Sequence, residues 1–286
     1  MTPLNRRAGH RPEWLKIRIP GDLDQLPVSR LMNDLALNTV CQEARCPNIF
    51  ECWSAGTATF MILGEICTRR CTFCAVGKGK PLAADDDEPR RVAEAVETMG
   101  AKHVVVTMVN RDDLPDGGAE QVARTVQAVR ERTGAAVEVL ISDLEGNRDA
   151  LQVVLDAKPE VLAHNVETVP RLYSAVRPVA KYRRSLDVLR WAHDAGAMTK
   201  SSLMLGLGES EEEIFGVAHD LREAGVDIFT MGQYLAPTGN HHPVRRYWTP
   251  EELASLGERA RALGFHHVES APLVRSSYMA HRALHR

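Results

Sequence analysis

The chain has 286 residues, 44% of them hydrophobic and 26% charged, with a formal net charge of −3. That length suits one large domain or two small ones, with a core that needs no disulfide staples. The weak negative charge excludes a general nucleic-acid or anionic-membrane surface, and no apolar run reaches the ~20 residues of a membrane helix.

Residues 1–56 read as an N-terminal extension. The first twenty, "MTPLNRRAGHRPEWLKIRIP", are positively charged but have no apolar stretch of the kind a secretory signal carries, and they lack the Ser-rich, acid-poor look of a transit peptide. The expected location is therefore the cytoplasm, a reducing compartment. Further along the extension, "CQEARCPNIFEC" places Cys41, Cys46 and Cys52 at x4 and x5 spacing.

From about residue 57 two patterns alternate. Apolar, β-branched runs predict strands at 57–63, 103–109, 136–141, 160–166, 199–206 and 226–235. The stretches between them have helical periodicity, and several end in Gly, a common helix stop. The acidic run "AADDDEPRR" (83–91) predicts a solvated loop and a helix N-terminus, where carboxylates suit the dipole. A last helix is expected over 249–264 with Thr249 as its cap, and "HHVESA" offers a short seventh strand. Residues 265–286 form a C-terminal extension.

Strand–helix alternation at this spacing implies right-handed βαβ units and a parallel sheet. Six units are too few for a closed eightfold barrel. The fold class expected is α/β, an open, partial parallel (β/α)6 barrel over 57–264, with chemistry in the loops after the strands. Those loops are the polar ones: "GEICTRRCTFC", "NRDDLPDGG", "SDLEGN", "HNVET", "LGLGES" and "GQYLAPTG".

All six cysteines fall between positions 41 and 74. Disulfides suit neither the chain length nor the expected compartment. Buried apolar thiols would be scattered, not grouped among Arg, Glu and Thr. Structural zinc wants four ligands, commonly in paired C-x2-C units, and only Cys71 and Cys74 make such a pair. Iron–sulfur clusters are held by thiolates in closely spaced loops, and three cysteines leave one iron of a cubane for another ligand. A two-cluster electron carrier would instead fill every corner with cysteine on a small chain.

"CTRRCTFC", with Cys67, Cys71 and Cys74 at x3 and x2 spacing after the first predicted strand, resembles the signature of the radical S-adenosylmethionine (SAM) enzymes. The double triplet, with "VNRDDLPDGGA", "HNVETVPRLY", "SSLMLGLGE", "MGQYLAPT" and "GFHHVESAPLVRSSYMA", resembles the lipoyl synthase family through most of the chain. Other radical sulfur-inserting enzymes, such as biotin synthases and methylthiotransferases, are the nearest alternative.

The resemblance implies two 4Fe–4S clusters with SAM as cosubstrate. Cys67, Cys71 and Cys74 would hold the reducing cluster, and Cys41, Cys46 and Cys52 an auxiliary one. The auxiliary cluster's fourth ligand would be a serine of "RSSY", here Ser277 with Ser276 as the alternative. An alkoxide is a harder donor than thiolate, which gives a sacrificial sulfur donor one labile corner. The implied reaction inserts sulfur at carbons 6 and 8 of an octanoyl-lysine, using two SAM molecules and consuming the auxiliary cluster. Unactivated C–H bonds call for no general base, so no acid–base pair is expected.

The implied partners are octanoylated lipoyl-carrier domains, namely the acyltransferase subunits of 2-oxoacid dehydrogenases and the glycine-cleavage H protein. An electron donor such as ferredoxin or flavodoxin and an iron–sulfur carrier protein complete the set. Neither nucleic acid nor a membrane is an expected partner.

Further contacts follow from the resemblance to the superfamily and from position after the strands. Phe73 would pack near adenine, and Asn110 and Asp112 would grip the methionine amino group. Asn165 and Glu167 would hold ribose or substrate amide, and Arg177 and Lys200 would meet a carboxylate. The Gly-x-Gly of "GLGES" is too short for a phosphate loop. Met108 stands where the family more often has Ser. His241 and His242 are expected in a surface loop, with Arg245 and Arg246 facing an acidic carrier.

Overall fold

A computed structural model describes residues 10–17, 21–278 and 280. The strands in chain order are β1 (Asn38–Thr39), β2 (Thr59–Ile62), β3 (Ile66–Cys67), β4 (Gly77–Lys78), β5 (His103–Met108), β6 (Ala136–Leu140), β7 (Val161–Ala163), β8 (Thr199–Leu205), β9 (Ile228–Gln233) and β10 (His267–Ala271). Eight of them form one sheet in the order β1-β2-β5-β6-β7-β8-β9-β10, and β3 and β4 pair separately. Every main-sheet pairing is parallel except β1 against β2. The edge strands β1 and β10 do not meet, so the barrel is open as expected. The short seventh strand exists as β10 and runs alongside β9.

In β2 and in β5 to β9 nearly every residue is buried, as parallel strands are when helices cover one face and the barrel interior the other. The covering helices are α4 (Glu88–Met99), α5 (Ala119–Thr133), α6 (Arg148–Asp156), α8 (Tyr182–Asp194), α9 (Glu211–Glu223) and α10 (Pro250–Arg261), with a short α7 (Tyr173–Val176) before α8. Three small helices, α1 (Pro27–Asp34), α2 (Val40–Glu43) and α3 (Ile49–Ser54), build the N-terminal extension. Local chemistry sets the helix ends. Ser210 and Thr249 close capping boxes with Glu213 and Glu252. Gly100 and Gly134 stop α4 and α5 in the left-handed region, at φ of 61° and 66°.

β7 is shorter than the predicted 160–166 run. After Ala163 the chain bends inward and rejoins β8 at Leu203 through Glu167, which sits at φ 65°. A non-glycine residue in that region is held there by its surroundings. The bend turns His164, Asn165 and Glu167 toward the barrel mouth.

Alternate residues along each strand face the barrel interior. Lys200 lies two residues before Ser202 and four before Met204, on the same face but deeper. Its ammonium donates to the Glu138 carboxylate at 2.8 and 3.0 Å, with both residues 1% exposed. Lys200, expected at a cofactor carboxylate, therefore meets a carboxylate of the protein in the barrel floor. Removing one partner of such a pair strands a buried charge. Lys200→Met alone should cost about 3–5 kcal/mol, and the Glu138→Leu/Lys200→Met double variant far less. Urea unfolding followed by circular dichroism checks this, and a single variant no weaker than the double contradicts it.

Candidate functional site

A cavity of about 510 Å3 opens at the C-terminal ends of the strands. Cys41, Cys46, Cys67, Cys71 and Cys74 line it, together with Ser276 and Ser277. Cys52 stands behind, near enough to Cys41 and Cys46 for their charges to add to its pKa. Two groups 15 residues or more apart in sequence thus face one chamber. All six thiols are free. Among the described residues no three His, Cys, Asp or Glu side chains converge as around a single metal ion. Within each triplet, however, the thiols are close: Cys46 adds to the rise at Cys41, Cys41 and Cys46 to that at Cys52, and Cys71 and Cys67 to that at Cys74.

Burial pushes Cys52 to about 11 and Cys74 to about 12, and raises Cys41, Cys46 and Cys71 as well. Thiolates in such surroundings need bound cations to offset the lost water. A half-buried triplet of soft donors on the same chamber as two serine hydroxyls fits an iron–sulfur cluster.

The loop carrying Cys67, Cys71 and Cys74 is clamped from several sides. Thr68 donates to the Asn110 carbonyl through its backbone N–H at 3.1 Å and its hydroxyl at 3.0 Å. Arg69 turns inward, 3% exposed. Its Nε reaches Asp112 Oδ2 at 2.8 Å, while Nη2 donates to Asp112 Oδ1 at 2.8 Å and to Asp143 Oδ1 at 2.6 Å. The Arg69 backbone N–H points at the Cys67 sulfur, 3.4 Å away. Thr72 N–H donates to the Val176 carbonyl at 2.9 Å, and His242 N–H donates to the Thr72 carbonyl at 2.8 Å. His241 Nε2 lies 3.2 Å from the Cys74 carbonyl. The histidine pair expected in a surface loop thus braces the cysteine loop. Arg246 is held by Glu252 at 2.6 Å and lies over the Trp248 ring, so it is not a free docking charge.

Phe73, Asn110, Asn165, Glu167 and Arg177 all line the cavity. Arg177 Nη1 donates to the Asn165 and Val166 carbonyls at 2.8 and 3.1 Å, which fixes the bend after β7. Its charge opposes the rise that burial imposes on Cys71. Burial raises the Glu167 carboxyl, and Arg177 offsets part of that. Asn165 Nδ2 donates to Glu167 at 3.1 Å, while its buried Oδ1 has no partner among the described residues. That orphan acceptor on the cavity wall fits a bound donor. Asp112 does not line the cavity; it is occupied by Arg69 and Thr68. The "GLGES" amides are also occupied, since Glu209 accepts from Gly206, Leu207 and Gly208 at 2.6, 2.9 and 3.0 Å.

Sequence reasoning missed Arg69, Asp143 and His164. His164 is held down to about 4, first by burial and then by the Arg177 charge. The imidazole is therefore neutral. Its Nδ1–H donates to the Ile141 carbonyl, and Nε2 accepts from the Ser185 hydroxyl, both at 2.9 Å.

The first triplet meets the C-terminal extension. Asn48 Nδ2 donates to the Leu273 carbonyl at 2.7 Å, and the Tyr278 hydroxyl donates to Glu51 at 3.0 Å. Between these ties, Arg275 lies near enough to Cys46 to oppose the rise that burial imposes on its thiol, and Ser276 and Ser277 reach the chamber. Gly232 on β9 lets the segment approach: a Cβ there would lie 2.0 Å from the Val274 carbonyl oxygen.

A cysteine triplet after the first parallel strand of an open barrel is the arrangement of radical SAM proteins. The family model described as the Radical SAM superfamily matches residues 61–221. Among solved structures, Streptococcus suis SuiB bound to S-adenosylmethionine shares the fold with a TM-score of 0.60 at 12% identity, over 78% of this chain and 54% of that one. Methylornithine synthase PylB aligns with a TM-score of 0.54 at 16% identity, over 88% and 85%. The chain is 58% identical over 284 residues to the lipoyl synthase of Rubrobacter xylanophilus, covering 98% of this chain and 88% of that protein. It is 55% identical over 283 residues to the lipoyl synthase of Chloroflexus aggregans, covering 98% and 92%. The chain belongs to the lipoyl synthase family within that superfamily.

Gly232→Ala should push the Val274–Ser277 segment off the first triplet and leave the second intact. Iron per anaerobically prepared chain should fall from about eight to about four. A variant with its full iron complement contradicts this placement of the C-terminal segment.

Proposed function

We propose that the chain inserts two sulfur atoms, at carbons 6 and 8, into an octanoyl group amide-linked to a lysine of a carrier domain. The observation that carries this reading is the single chamber walled by Cys67, Cys71 and Cys74, by Cys41 and Cys46 of the other triplet, and by Ser276 and Ser277. An enzyme that only cleaved SAM would need one triplet. When bound, the reducing cluster and SAM supply an electron and a 5′-deoxyadenosyl radical, and the auxiliary cluster supplies sulfur.

The chain's own residues bind, orient and exclude water. Cys67, Cys71 and Cys74 hold the reducing cluster on a loop that Arg69, Thr68 and the His241–His242 pair keep rigid. Cys41, Cys46 and Cys52 hold the auxiliary cluster, with Ser277, or its neighbour Ser276, as the labile fourth ligand. Phe73, Asn110, Asn165, Glu167 and Arg177 form the SAM side of the chamber. The unpartnered Asn165 side-chain Oδ1 and the Glu167 carboxylate accept from ribose hydroxyls or the amino group. Asp112 acts at one remove, through Arg69. Met61, Met108, Leu140, Ile141, Leu203 and Met204 make an apolar wall suited to an eight-carbon chain.

The carriers fitting this reading are the acyltransferase subunits of 2-oxoacid dehydrogenases and the glycine-cleavage H protein. A ferredoxin or flavodoxin would supply electrons, and an iron–sulfur carrier protein would rebuild the consumed cluster. Among the described residues no helix is long and apolar enough to cross a membrane; a cytoplasmic location fits the unpaired thiols.

The two triplets should separate by function. Under single-turnover conditions with an octanoyl-lysyl peptide, Cys46→Ala should still cleave SAM but add no sulfur. Cys71→Ala should do neither. Mass spectrometry of the peptide and of 5′-deoxyadenosine reads both. Two sulfurs added by Cys46→Ala would refute the assignment.

A further inference from the structure

The segment that follows the second triplet leaves the chamber wall at Lys78 and continues over a surface the chamber does not use. β4 returns beside β3 so that Lys78 is paired with Cys67, and the Gly79 N–H donates to the Cys67 carbonyl at 3.1 Å. From there the chain runs outward through Lys80, Pro81 and Leu82. Lys78 and Lys80 are exposed, and Leu82 is 86% exposed, the highest value of any large hydrophobic side chain among the described residues. Neither lysine has a carboxylate partner among the described residues. Arg70, between Cys67 and Cys71, is exposed as well.

The acidic run just downstream does not neutralise these lysines. Asp85 is engaged by Arg91 at 2.8 Å, Asp86 by Arg124 at 2.8 Å, and Asp87 by Arg90 at 2.7 Å. These lysines therefore keep their charge free of that run, beside a solvent-facing leucine, with exposed Glu65 the acidic residue next to the β3–β4 pair. An isolated exposed apolar residue needs no explanation. This one sits within four residues of a strand paired to a cluster ligand, and the chain between them spans at most about 14 Å.

We propose that Lys80 and Leu82, continuous with Lys78, form the docking surface for a small acidic one-electron carrier protein that reduces the cluster held by Cys67, Cys71 and Cys74. The inference rests on the sulfur-insertion reading, and the chemistry of that reading demands such a surface. Two SAM molecules are cleaved per product, each cleavage taking one electron. The carrier protein gives up that electron and the cluster accepts it. The second electron must arrive while the half-converted acyl chain still occupies the chamber. The donor therefore needs an approach that leaves the mouth open. Lys80, Pro81 and Leu82 are outside the cavity walls, and their segment leads by backbone pairing to Cys67. A patch of one apolar residue and a few cations suits electron-transfer encounters, which are small and electrostatically steered.

The test uses the cluster-loaded enzyme and its Lys80→Glu/Leu82→Ser variant, with reduced flavodoxin, reduced ferredoxin or dithionite as electron source. With the protein donors, the variant's rate of SAM cleavage should fall about tenfold, and the Kd for oxidised flavodoxin or ferredoxin should rise to match. With dithionite, the rate should equal that of the unmodified enzyme. Unchanged Kd and unchanged donor-driven rates overturn the proposal. So does an equal loss with dithionite, which would place the effect in the cluster or the fold. A raised KM for octanoylated carrier domain with dithionite, at unchanged donor Kd, would assign the surface to the substrate carrier instead. Failure of the unmodified enzyme to add sulfur with any reductant would overturn the parent reading, and this one with it.

Discussion

The molecule depends on one closure. The N-terminal and C-terminal extensions meet over the open edge of the barrel, and only that meeting puts both cysteine triplets on one chamber. Asn48 gripping the Leu273 carbonyl, Tyr278 reaching Glu51, and the bare backbone of Gly232 under Val274 make the closure. None of these contacts is chemical machinery. Without them the first triplet would be three thiols on a pair of short helices and the turn between them, too small to hold their own geometry. A six-residue helix does not fold alone, so tertiary ties must supply its order.

The second organising feature is buried charge. Lys200 and Glu138 pair in the barrel floor, Arg69 holds Asp112 and Asp143 at the rim, and Arg177 crosses beneath the bend after β7. Such pairs add little net stability over apolar packing, but each has a narrow set of acceptable geometries. Here they set the positions of the cysteine loop and of the Asn165–Glu167 turn. The site is thereby shaped before any cofactor enters, and ordering costs at the moment of reaction are reduced. The segment from β4 onward, by contrast, carries exposed lysines with no carboxylate partner among the described residues.

Much of this was legible in the residues. β-branched runs separated by helical periods and glycine stops specify the βα order, because parallel strands buried on both faces need continuous apolar stretches. The cysteine grouping is equally plain, since no packing argument crowds six thiols into 34 positions. Side-chain direction and burial were less accessible. Lys200 and Asp112 occupy strand ends and loops where functional residues collect, yet one faces the barrel floor and the other an arginine. Period-two alternation gives the face but not the depth. Arg69 lies inside the cysteine motif and reads as a solvated charge until Asp143, 74 residues away, is brought beside it. His241 and His242 look like loop residues because their acceptors, the Cys74 and Thr72 carbonyls, are backbone atoms far off in sequence.

The central claim is that both triplets work on one substrate inside one chain, and trans-complementation tests it directly. A variant with Cys41, Cys46 and Cys52 changed to Ala is mixed with one carrying Cys67, Cys71 and Cys74 changed to Ala, under reducing conditions with SAM and octanoyl-lysyl peptide. The first can cleave SAM and the second can hold donor sulfur, but no chamber contains both. The account predicts 5′-deoxyadenosine without any sulfur added to the peptide. Lipoyl peptide formed by the mixture would contradict it.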